Sequence, residues 1–74
     1  MIEDTKVAEQ VKALVLEAYN RLEDSMKLVE NSCSSEEFSK YKAALGKVTV
    51  SILFNVLEPL YDKQPALKPP GWDD

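Results

Sequence analysis

The chain has no histidine, one cysteine (Cys33) and one arginine (Arg21) among its 74 residues. Without imidazole, the commonest metal ligand and the usual base for a nucleophile are missing. One cysteine closes no intramolecular disulfide and builds no thiolate zinc site, a usage that fits a reducing compartment. Glycine is confined to Gly46 and Gly71, and proline to Pro59, Pro65, Pro69 and Pro70. The Gly/Pro punctuation of a β-rich or repeat architecture is therefore absent before the last ten residues. Positive charge is scarce too: 9 basic against 13 acidic residues give a net charge of −4, which disfavours an electrostatic nucleic-acid binder. These deficits make an enzyme the least expected class, and no cofactor or metal is expected.

Long hydrophobic runs are also lacking. The start, Met1-Ile2-Glu3-Asp4-Thr5-Lys6, has no apolar core of the kind a secretory signal needs. The longest apolar-rich run, Val48 to Leu57, is broken by Thr49, Ser51 and Asn55. As a helix it would rise only about 15 Å, against about 30 Å for a bilayer core. The expectation is a soluble cytoplasmic protein with no membrane contact.

What the sequence does contain is helical periodicity. From about residue 4 to residue 31, Val7, Val11, Leu14, Val15, Ala18, Leu22, Met26 and Val29 recur every three or four positions, marking one helix face. Asp4 or Thr5 can cap its start, Glu17 with Arg21 forms a favourable i,i+4 pair, and Asn31 is a candidate left-handed terminator. Ser34-Ser35-Glu36-Glu37 then spells a capping box, with Cys33 and Phe38 at the positions of a hydrophobic staple. A second helix is expected from about 35 to 63. One of its stripes is Phe38, Tyr41, Leu45, Val48, Ile52 and Val56, and another is Gly46, Val50, Leu53, Leu57 and Leu60 with Phe54 alongside. Pro59 removes a donor and crowds the Asn55 carbonyl, so a kink is expected there, with the clearer stop at Gln64-Pro65. Residues 65–74 read as an extended, polyproline-like tail.

Two long helices joined by a short linker make an antiparallel hairpin over residues 1–64. Such a pair encloses one seam, whereas the second helix is apolar nearly all round from Val48 onward. Chains this short rarely stabilise a single core without help. The expected fold is accordingly all-α: a hairpin that dimerises into a four-helix bundle with an extended tail. The expected interface is Gly46, Val50, Leu53, Phe54, Leu57 and Leu60, with Gly46 permitting close backbone approach. In the tail, Leu67, Pro69, Pro70 and Trp72 are expected to dock across the bundle or onto a protein partner. Glu58 and Asp62 read as a solvated pair relieved by Lys63, Cys33 as a packing residue, and Tyr19, Tyr41 and Tyr61 as seam-edge packing. Ser51 and Asn55 either fix a bundle's register or satisfy groups freed at Pro59.

The order Phe38-Ser39-Lys40-Tyr41-Lys42-Ala43-Ala44-Leu45-Gly46-Lys47-Val48, then Leu57-Glu58-Pro59-Leu60-Tyr61 and Pro65-Ala66-Leu67-Lys68-Pro69-Pro70, is similar to that of a set of small bacterial helical proteins. The resemblance covers the second half of the chain and implies a bacterial cytoplasmic protein, with no activity or residue role attached. The function expected is a non-enzymatic interaction or regulatory module acting as a homodimer. The alternative is an obligate subunit or chaperone-like partner of a second protein.

Overall fold

The computed structural model describes residues 1–72, and all its regular structure is helical. Helix α1 spans Thr5–Ser32. Asp4 caps it, its carboxylate accepting from the Val7 amide at 3.0 Å and satisfying a donor the first turn leaves open. At the far end the chain stays helical through Asn31, and Cys33 adopts extended backbone while its N–H donates to the Val29 carbonyl at 2.9 Å. Asn31 is thus no left-handed terminator, since among the described residues only Gly71 has positive φ. The capping box at Ser34 forms as the spacing dictates. The Glu37 amide donates to Ser34 Oγ at 3.2 Å and the Ser34 amide to Glu37 Oε1 at 3.3 Å.

The second helix, α2, is continuous over Ser35–Lys63, 29 residues. It is α-helical over Ser35–Ser51, widens to a π turn over Ile52–Leu57, and closes as α-helix over Glu58–Lys63. The π turn is how the helix passes Pro59. In a regular helix the proline ring would press on the Asn55 carbonyl. Here the wider turn relieves that crowding, with the Glu58 amide reaching five residues back to the Leu53 carbonyl. Pro59 then falls in the first turn of the last α-helical piece, where a missing N–H costs least.

The contacts between Ser25 and Tyr41, Lys12 and Tyr61, and Thr5 and Gln64 run in opposite sequence order on the two strands of the hairpin, so α1 and α2 lie antiparallel. The molecule is a rod of 45 × 21 × 20 Å. Ser25 Oγ donates to the Leu22 carbonyl at 2.6 Å. Its one proton being spent there, the Tyr41 hydroxyl is the donor in their 2.7 Å bond. That bond ties the two helices together toward the loop end.

The core lies at the opposite end. Leu57, Leu60 and Tyr61 are 0% exposed, packed by Ile2, Val11, Val15, Leu16, Ile52, Leu53, Leu67 and Trp72. The expected four-helix bundle with an extended tail is overturned here. Helices of 28 and 29 residues, together with the folded tail, close a core inside one chain. Residues Pro65–Leu67 form a 3₁₀ turn, and the Trp72 amide donates to the Pro69 carbonyl at 3.2 Å, so the tail is compact rather than polyproline-like. Asp73 and Asp74, also part of that tail reading, lie outside the described residues.

The expected interface stripe is divided by the π turn. Leu57 and Leu60 face inward and are wholly buried, whereas Val50 and Phe54 are 51% and 60% exposed. A regular turn of 3.6 residues would put the point directly below Phe54 between Leu57 and Glu58; the wider π turn moves it onto Glu58 and leaves Leu57 turned inward. Gly46 meets no close approach inside the chain, since a Cβ there would find nothing within 4 Å.

Truncation at the two kinds of position should separate them. Leu60→Ala is expected to cost about 2–5 kcal/mol in urea unfolding of dilute protein, because it opens a cavity in the core. Val50→Ala should cost less than about 1 kcal/mol. Equal losses would show that Leu60 is not the better-packed residue.

Candidate functional site

At the open end of the hairpin, one side chain gathers three segments. Gln64 Nε2 donates to the carbonyls of Ile2 at 3.1 Å and Glu3 at 2.9 Å, and its Oε1 accepts from Thr5 Oγ1 at 3.2 Å. Lys63 lies 3.4 Å from the Glu3 carboxylate, so it does not serve the Glu58–Asp62 pair expected to use it. Lys12 Nζ donates to the Leu67 carbonyl at 2.6 Å and sits 5.6 Å from the centroid of the Tyr61 ring. Trp72 meets the same ring edge-on, with centroids 4.8 Å apart and planes at 80°. An aromatic pair in this arrangement adds about 0.5–1.5 kcal/mol beyond the area it buries. Of the tail residues singled out from the sequence, Leu67 and Trp72 pack on the core, Pro69 is half-buried and Pro70 is exposed.

Tyr61 makes this cluster unusual. Its hydroxyl is buried and has no hydrogen-bond partner among the described residues. Burial pushes its pKa above the ordinary 10.0, since the phenolate would lose its hydration. Tyr41 sits twenty residues earlier, about 30 Å up the helix, and is engaged by Ser25. These two tyrosines therefore do not converge on one ligand site. Sequence reasoning missed Gln64 and Lys12 as organisers of this end. Gln64 was legible only as a stop signal, and nothing local in the sequence marks Lys12, whose partner is 55 residues away.

The outer side of α2 is the contrasting surface. Val50, Phe54 and Glu58 follow one another at four-residue steps, which the π turn brings into line, with Lys47 continuing the row toward the loop. Leu53, Phe54, Glu58 and Trp72 line a shallow groove of about 290 Å³. Asn55 Nδ2 donates to Ser51 Oγ at 2.9 Å on the exposed surface, so these two polar residues satisfy each other rather than the groups freed at Pro59. By length and composition alone, α2 is long and apolar enough to cross a membrane, a criterion that soluble core helices also meet. The ten-residue estimate from Val48 to Leu57 was too short because the helix continues through Pro59. Only 22% of its most apolar window is buried within the chain.

Among the described residues no group of His, Cys, Asp and Glu could hold a metal ion, and Cys33 is free and exposed. The Tyr61 hydroxyl yields a prediction of stability instead. Tyr61→Phe removes an unsatisfied buried group and should leave stability unchanged or raise it by about 1–2 kcal/mol. The folded-state pKa is raised, so the Tyr61 contribution is complete below pH 10.0 and is lost as pH rises toward the folded value. Chemical denaturation across that range should show wild type losing more stability than Tyr61→Phe; parallel curves would refute the assignment. Set against protein-family models, curated proteins and solved structures, the chain matches none of them, and its functional reading is built on the residues themselves.

Proposed function

We propose that this chain is a non-enzymatic interaction protein that presents the outer face of α2 to a binding partner, in a reducing compartment. One observation carries the reading: the most apolar stretch of the chain is a helix window of which 22% is buried by the chain's own fold. Val50 and Phe54, which share one side of it, are 51% and 60% exposed. Isolated exposed apolar residues are commonplace, but a row of them beside a groove is the signature of an interaction surface. The compact knot of Gln64, Tyr61 and Trp72 serves this role as a support. It fixes the end of α2 and holds Trp72 beside Phe54 and Glu58. A rigid aromatic at the centre of a contact supplies area with little conformational entropy to lose.

A photo-crosslinking phenylalanine analogue in place of Phe54 tests the reading in cells that express the full chain. Irradiation should give a discrete protein adduct from position 54 and none from the same analogue at Glu9, an exposed site on α1. Equal yields from the two positions would refute it.

A further inference from the structure

The outer row of α2 carries opposite charges at its two ends. Lys47 and Glu58 are both exposed, and neither takes part in an ion pair among the described residues. Between them stand Val50 and Phe54, so the row reads positive, apolar, apolar, negative along the helix. A row of this kind is complementary to itself in one orientation only. A parallel copy would set Lys47 against Lys47 and Glu58 against Glu58. An antiparallel copy related by a twofold axis sets each positive end against a negative one, while the apolar centres meet. The spacings agree with this: three residues from Lys47 to Val50 and four from Phe54 to Glu58, matched to within one residue about a common centre. A lipid surface would meet either charge with its headgroups and so would give no use to their opposite placement along the row.

We propose that the occupant of this face is a second copy of the chain, laid antiparallel along α2. Lys47 then pairs with the partner's Glu58 at each end, and Phe54 lies against the partner's Val50 at the centre. The groove between Leu53, Glu58 and Trp72 receives the aliphatic stem of the partner's Lys47, whose ammonium reaches both the Glu58 carboxylate and the Trp72 ring. The proposal rests on the reading of this face as an interaction surface. It differs from a bundle that completes a missing core: Leu57, Leu60 and Tyr61 stay closed by each chain's own tail, and the contact adds only outer residues.

Light scattering after size-exclusion chromatography, with native mass spectrometry on the full chain, tests it. Wild type should run at twice 8.3 kDa. Lys47→Glu and Glu58→Lys, made singly, each turn two attractive pairs into two repulsive ones and should weaken association about tenfold or more. The double variant K47E/E58K should restore it, and a mixture of the two single variants should form the mixed dimer in preference to either homodimer. Phe54→Ser should leave the helical circular dichroism intact and abolish the dimer. A chain that is monomeric at every concentration, or a dimer indifferent to both charge reversals, overturns the proposal. If the monomer instead crosslinks through position 54 to a different protein, or binds phosphatidylcholine vesicles in a Phe54-dependent way, the face is an interaction surface whose occupant is not a second copy. That result ends this proposal while leaving the broader reading intact.

Discussion

Proline at position 59 is the constraint around which the rest of the chain is arranged. A helix of 29 residues passes through it because the preceding turn widens. That widening changes which side of the helix every later residue faces. Leu57, Leu60 and Tyr61 turn inward to form the core, and Glu58 falls into line with Val50 and Phe54 on the outside. Without the widened turn, the apolar residues before and after Pro59 would share one continuous stripe, and the helix would have a single sticky side. With it, the helix has two sides of different character: one satisfied within the chain, the other half apolar and charged at both ends. π turns are frequent at functional sites, and here the turn underlies the exposed face.

The inner side is held by a small number of interactions of high sequence separation. Gln64 bonds Ile2, Glu3 and Thr5, and Lys12 bonds Leu67 while lying over Tyr61. Trp72 closes the cluster against Tyr61. The tail thus supplies the third wall of a core that two helices cannot enclose by themselves. The expectation that a short chain needs outside help to bury its apolar residues underestimated eight residues of turn, because Pro65, Pro69 and Pro70 were read as keeping the backbone extended. In fact Pro65 opens a 3₁₀ turn, and Gly71, at φ 84°, lets the chain reverse so that Trp72 reaches the core.

Local signals were read well from sequence and register was not. The capping box at Ser34 and the cap at Asp4 depend on side chains within three residues of the amides they serve, so spacing alone reveals them. The pairing of Glu17 with Arg21 at 3.0 Å is equally local. The division of the stripe at Val50, Leu53, Phe54, Leu57 and Leu60 depends on hydrogen bonds to the fifth residue back, which no three-or-four periodicity encodes. Pro59 was the available clue, and it fitted a kink as well as a π turn. The partners of Gln64 and Lys12 lie 55 to 62 residues away in sequence and become visible only once the hairpin is closed.

Those long separations have a kinetic meaning. The turn at Cys33 and Ser34 brings near neighbours together and can close early, as local contacts do. The bonds of Gln64 to Ile2 and Glu3 span nearly the whole chain, at separations of 62 and 61 residues, and can form only after the two helices have zipped along their length. The hairpin therefore has a direction: it starts at the loop and is latched at the far end. Opening that latch alone would release Ile2, Leu67 and Trp72 from the core while the bond between Ser25 and Tyr41 still holds the helices together. The chain thus has a built-in order of loosening, in which the support beside Phe54 goes first and the hairpin last.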